Sequence, residues 1–131
     1  MDHEKALALA PAAAAAAQID FTGTWKNELG SEMTLVQNGS VLTGKYESAV
    51  SGGGGKILGD LSGWGSGRLI SFSVNWPSDA ITAWVGHLVT ENGSDAMETL
   101  WQMATRMPDP TDPNELWESV LSGADRFTKV T

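Results

Sequence analysis

The sequence predicts an all-β domain, an eight-stranded antiparallel up-and-down β-barrel, on three observations. Beyond residue 18, apolar residues recur with the period of two that marks half-buried strands. The alternating runs are separated by short turns containing glycine, among them Asn38-Gly39 and Asn92-Gly93, dipeptides typical of two-residue hairpins. One face of each run is apolar, and closing the sheet on itself removes the exposed edges that an open sheet would leave.

A chain of 131 residues is long enough for one domain with a buried core and too short for two. Residues 1–18 stand apart from residues 19–131, which form the barrel domain. They hold an alanine-rich stretch, Ala6 to Ala17, broken by Pro11. This reads either as the remnant of a secretory signal cleaved near Ala17 or as a disordered or loosely helical tail, because Asp2 and Glu4 outweigh Lys5 where a signal would be basic. The first reading implies a secreted or periplasmic protein.

Phe21 to Leu29 alternates, with Phe21, Gly23, Trp25, Asn27 and Leu29 on one face and Thr22, Thr24, Lys26 and Glu28 on the other. Gly30-Ser31 turns the chain into Glu32 to Gln37, and Asn38-Gly39 leads into Val41 to Ser48. There Leu42, Tyr46, Ser48 and Val50 share a face opposite Lys45 and Glu47. The charges mark the wet side, so a phenol and a hydroxyl point inward, where polar groups need partners. Gly52 to Gly55 follows as a flexible loop, placed to act as a lid. Ile57 to Gly63 and Leu69 to Trp76 are the next strands, the latter with Ile70, Phe72, Val74 and Trp76 inward.

Ala80 to Val89 directs Ala80, Thr82, Trp84, Gly86 and Leu88 inward, yet its other face is also apolar around His87, which predicts a partner subunit outside. After Asn92-Gly93, the residues Met97, Thr99, Trp101 and Met103 point in. Arg106 to Asn114 contains Pro108, Pro110 and Pro113 and predicts an irregular connection. Asn114 to Leu121 reads as a short helical turn carrying Trp117, and Ala124 to Val130 as the last strand, with Asp125 and Phe127 on one face.

Collected from five strands, the inward polar residues are Asn27, Tyr46, Ser48, Thr82 and Asp125, with Ser31 at a strand end and Trp76, Trp84 and Trp101 around them. Any one of these is explained by an internal hydrogen bond. Together they have the composition of a small-molecule site, an apolar box with a few convergent polar groups. A net charge of -8 argues against nucleic acid and anionic membrane as partners. The absence of cysteine removes disulfides and thiolate chemistry.

These residues carry a resemblance. Gly23-Thr24-Trp25-Lys26-Asn27-Glu28-Leu29-Gly30-Ser31, Thr43-Gly44-Lys45-Tyr46-Glu47-Ser48-Ala49-Val50, Val74-Asn75-Trp76, Thr82-Ala83-Trp84, Trp101 and Phe127-Thr128-Lys129-Val130 resemble the avidin and streptavidin family of biotin-binding proteins, in order, from about residue 20 to the end. Streptavidin is itself a standard example of an eight-stranded barrel holding one small ligand. The resemblance implies biotin as the bound ligand, no cofactor, and non-catalytic high-affinity binding. It places Asn27, Ser31 and Tyr46 as donors to the ureido carbonyl, and Ser48 and ionised Asp125 as acceptors for the ureido N–H groups. Thr82 would meet the thioether sulfur, and Trp76, Trp84 and Trp101 would wall the ring and tail.

Leu29, Val50, Ser78 and Met103 complete the expected biotin-binding set, with Trp117 as a lid donated to a neighbouring subunit in a homotetramer. Two departures stand out: Ala80 occupies a position where the family often has serine, and Met103 one where it has leucine. Gln102, Ser122 and Ala124 replace bulkier or more apolar interface residues, which leaves a dimer open. The alternative functions are an enzyme, another small-molecule binder and a secreted protease inhibitor. His87 and Asp125 are the acid–base candidates, but alternation sets them on opposite faces, so no catalytic residue and no metal ligand is assigned.

Overall fold

The computed structural model describes residues 1–11, 18–49, 55–106, 111–112 and 120–130. Val50, Trp117, most of the glycine run, the proline-rich connection from 107 to 110 and residues 12–17 of the alanine-rich stretch lie outside the described residues.

Among the described residues the chain forms a short helix α1 (His3–Leu9) and eight strands. These are β1 (Gly23–Asn27), β2 (Glu32–Asn38), β3 (Val41–Ser48), β4 (Ile57–Ser66), β5 (Leu69–Asn75), β6 (Ala80–Glu91), β7 (Ser94–Thr105) and β8 (Val120–Lys129). Each strand pairs antiparallel with the next, and β1 pairs with β8 through Trp25↔Lys129 and Asn27↔Phe127, so the predicted barrel is closed. Helix α1 is capped by Asp2, whose side chain accepts from the Lys5 N–H at 2.8 Å, and buries nothing. No helix among the described residues is long and apolar enough to cross a membrane.

The turns follow from local chemistry. Asn92 and Gly93 have φ of 52° and 79°, so both loop residues of the β6–β7 hairpin are left-handed, as a type I′ turn requires. In the β2–β3 hairpin Asn38 still pairs with Val41, and the loop is Gly39-Ser40, one residue later than the Asn-Gly signal places it. Gly39 takes φ of 62° at the first loop position, the place glycine holds in a type II′ turn.

The barrel end that carries these hairpins is plugged by the core. Phe21, Trp25, Met33, Leu35, Leu42, Ile70 and Met97 are all essentially inaccessible. The Trp25 indole N–H donates to the Phe21 carbonyl at 2.9 Å, and Gln37 accepts from the Phe21 N–H at 2.8 Å, which ties the segment before β1 across that end. The opposite end, bounded by the β1–β2, β3–β4, β5–β6 and β7–β8 connections, is left for a site.

Two expectations change. Strand β1 stops at Asn27, so alternation does not reach Leu29, which sits in the turn and is 75% exposed instead of inward-facing. Val120 and Leu121 are the start of β8 and not the end of a helical turn, because ladder pairing to β7 already begins at Ala104↔Val120. Ile81 and Val85 do form an apolar outer face on β6, with Leu100 of β7 opposite Val85, and in the single chain all three are uncovered.

Candidate functional site

The open end holds a cavity of about 460 Å³ lined by Asn27, Leu29, Ser31, Tyr46, Ser48, Ala49, Ile57, Trp76, Ser78, Ala80, Thr82, Trp84, Trp101, Met103, Thr105 and Asp125. Strand alternation brings this set together from six strands and the loops between them. Every sequence-predicted site residue that the structure describes is among them. Leu29 contributes from the turn, and Ser78 is an exposed residue of the β5–β6 loop. Ala49, Ile57, Ala80 and Thr105 are additions. Thr105 continues the inward row of Met103 and was legible by alternation, whereas Ala49 and Ile57 flank a loop whose course alternation does not specify.

The polar groups converge in two clusters. In the first, the Asn27 side-chain oxygen Oδ1 accepts from the N–H groups of Leu29 at 3.0 Å and Ser31 at 2.9 Å, folding the tight turn after β1. That leaves the Asn27 amide N–H₂ to face the cavity, where it lies 3.4 Å from the Tyr46 hydroxyl. Ser31 Oγ accepts from the Ala49 N–H at 2.8 Å, which pins the end of β3 and leaves the hydroxyl proton to be donated. The Tyr46 phenol is pushed well above its usual range by burial and then by the negative charge of Asp125, so it stays protonated and able to donate. Three donors therefore surround one point.

Replacing Asn27 by alanine removes the side-chain acceptor of both backbone N–H groups of that turn. It is expected to cost about 2 kcal/mol of stability in urea denaturation, at roughly 1 kcal/mol per hydrogen bond, with Asn27→Asp recovering most of it.

The second cluster lies on β8, the strand paired with β1. Asp125 is half-buried; its Oδ2 accepts from the Trp84 indole N–H at 3.0 Å, and its backbone carbonyl accepts from the Thr99 hydroxyl at 2.9 Å. Burial pushes its carboxyl above the usual range, against the Trp84 hydrogen bond, with the neighbouring Glu28 charge acting in the same direction as burial. The other walls are aromatic. Tyr46 stacks on Trp84 with ring centroids 5.0 Å apart, Phe72 backs Trp84 at 4.9 Å, and Trp76 meets Tyr46 edge-on at 5.5 Å. Trp76 donates its indole N–H to Thr82 Oγ1 at 2.9 Å, which holds the ring upright and occupies one lone pair of the threonine.

A larger concavity of about 600 Å³ lies on the outside of β2 to β5. Its charges are already paired, Lys45 with Asp60, Glu47 with Lys56 and Glu32 with Lys26. The inside of the barrel at its open end, where the polar groups converge, is thus the candidate site. Chemically it offers three hydrogen-bond donors, a carboxyl acceptor beside them and aromatic walls.

A family model described as the avidin family matches residues 15–130. Avidin of Gallus gallus is 29% identical over 136 residues, spanning 95% of this chain and 87% of avidin. Avidin-related protein 7 of the same species is 30% identical over 132 residues, spanning 94% and 86%. Among solved structures, a biotin-binding protein from chicken has a TM-score of 0.73 at 27% identity, covering 87% of this chain and 98% of that one. Xenavidin has a TM-score of 0.72 at 26% identity, covering 87% and 100%.

Proposed function

The chain belongs to the avidin family, and from that premise we propose that it binds biotin in the cavity at the open end of its barrel, as a ligand-binding protein and not an enzyme. One observation carries the reading. The donors Asn27, Ser31 and Tyr46 and the acceptor Asp125 line one aromatic-walled cavity of about 460 Å³, which suits a planar urea with a carbonyl and N–H groups to satisfy.

In this reading the three donors polarise the ureido carbonyl, while Ser48 and ionised Asp125 accept the two N–H groups. Trp76, Trp84 and Trp101 hold the bicyclic ring and tail, where burial contributes on the order of 25 cal/mol per Å² of apolar area. The Thr82 hydroxyl meets the thioether sulfur, and Leu29, Val50, Ser78 and Met103 border the tail. Biotin is the bound ligand, and no cofactor is needed. Residues 19–131 constitute the binding domain and 1–18 a leader or tail, with the protein secreted or periplasmic. The protein is a homo-oligomer, a tetramer before a dimer, in which Trp117 closes a neighbour's cavity. The uncovered apolar face of Ile81, Val85 and Leu100 supports that assembly.

Biotin titration followed by tryptophan fluorescence and calorimetry tests this reading, with light scattering alongside. A saturable signal with one biotin per chain and a Kd below about 1 µM, some 8 kcal/mol, is expected. Light scattering is expected to give four chains per particle. An unchanged fluorescence with no binding heat would overturn the ligand, and a monomer would overturn the assembly.

A further inference from the structure

The cavity at the open end of the barrel continues past the β5–β6 loop. A second concavity of about 370 Å³ lies on that rim and shares Trp76, Ser78, Ala80 and Thr105 with the first. Ala80 pairs with Thr105 at the last rung of the β6–β7 ladder, so the two hollows meet over that pair. Beyond it the second runs along Asn75, Ile81 and Ala104, which are neighbours in one outer row of β5, β6 and β7. A groove thus leads from the inside of the barrel over its rim to the outer face. Ser78, which borders the tail of the ligand in the biotin reading, stands where that groove begins.

The rim is poor in what a carboxylate needs. None of the 8 lysines and arginines lines either hollow. Arg106, which follows Thr105, is paired with Asp79. Backbone donors of the loop are used within the protein: the Trp76 N–H donates to the Ala80 carbonyl at 3.2 Å, the Ala80 N–H to the Ser78 carbonyl at 2.7 Å and the Arg106 N–H to the Asp79 carbonyl at 3.2 Å. Ala80 offers a methyl group and no hydroxyl, and the Ser78 hydroxyl is exposed and competes with water. Asp125 and Asp79 add one carboxyl group to each hollow. An anion at the end of the ligand's tail would lose water there without gaining a cation, and would face like charge. A neutral amide in the same place has neither cost.

We propose that the rim groove is a subsite for the amine to which biotin is attached, so that the protein takes biotin joined by an amide to an alkyl amine, such as a lysine side chain, in preference to the free acid. The proposal rests on the biotin reading of the first cavity. The amide occupies the rim in place of the carboxylate, and the alkyl chain follows the groove past Ile81, covering apolar surface that is otherwise exposed. Asn75, opposite Ile81 on β5, is exposed and lines the groove but not the first cavity. A bulky ring at that position blocks the path of the chain and leaves the lining of the first cavity as it is.

Competition calorimetry with biotin, biotinamide and ε-biotinyl-lysine, on the full chain and on Asn75→Trp, provides the test. On the unaltered protein both amides are expected to bind at least as tightly as biotin. In Asn75→Trp the affinity for ε-biotinyl-lysine is expected to fall about fivefold or more, and those for biotin and biotinamide to change by less than about twofold. Biotinamide binding more weakly than biotin would show that the rim holds the carboxylate, and would overturn the proposal. An affinity for ε-biotinyl-lysine that does not change in Asn75→Trp, or changes only as much as that for biotin, would overturn the groove as its path. The three ligands on the unaltered protein decide the amide preference even if the variant fails to fold. If none of them bound, the biotin reading would fall and the proposal with it, whereas tight binding of biotin with weak binding of both amides would remove the proposal alone.

Discussion

Asp125→Ala is expected to weaken biotin binding by roughly 100-fold or more, and Ser78→Ala by less than about tenfold. The difference comes from where each acceptor or donor sits. Asp125 is half-buried and accepts from the Trp84 indole at 3.0 Å. Its removal strands a ligand N–H in a dry pocket and also leaves that indole without its acceptor, at about 1–3 kcal/mol for each buried donor. Ser78 is an exposed loop residue, and water replaces its hydroxyl at little cost. Paired calorimetry on the two variants checks the ordering, and equal losses would show that the ureido head does not lie against Asp125.

Gly86→Ala is expected to abolish folding or to lower stability by more than about 4 kcal/mol. Gly86 lies on the inward row of β6 between Trp84 and Leu88, opposite Thr99 of β7. A methyl group there would overlap the Glu98 carbonyl oxygen and stand 2.8 Å from Thr99 Cα, so it meets backbone, which cannot swing aside as a side chain can. Relief would require β6 and β7 to separate. The Thr99 hydroxyl holds the Asp125 carbonyl, so such a shift would reach the site as well. Gly55→Ala is the control: an added methyl group there has no atom within 4 Å, and a change within about 0.5 kcal/mol is expected. Thermal and urea unfolding of both variants would show it, and an unshifted midpoint for Gly86→Ala would mean that the strands have room to spare.

The interior was legible because alternation is a local signal. Once Lys45 and Glu47 mark the wet side of β3, Tyr46 and Ser48 must face in, and the same logic places Asn27, Thr82, Trp84, Trp101 and Asp125 in one cavity. The reading failed where a strand ended. Leu29 was assigned by continuing the alternation of β1, but Asn27 folds its side chain back onto the N–H groups of Leu29 and Ser31 and starts a turn. Val120 and Leu121 were placed in a helical turn because nothing within that segment announces its pairing partner, which lies on β7.

Alternation also assigned Glu28 to the outer face, and Glu28 is exposed. What the sequence by itself determined is the strand class, the inward rows and the chemical types that line the pocket, because each depends on neighbours one or two residues away. Only the tertiary structure decided the register of β1 on β8 and the tight approach at Gly86. Each of those is a distance between residues far apart in the chain, and a period of two carries no information about it.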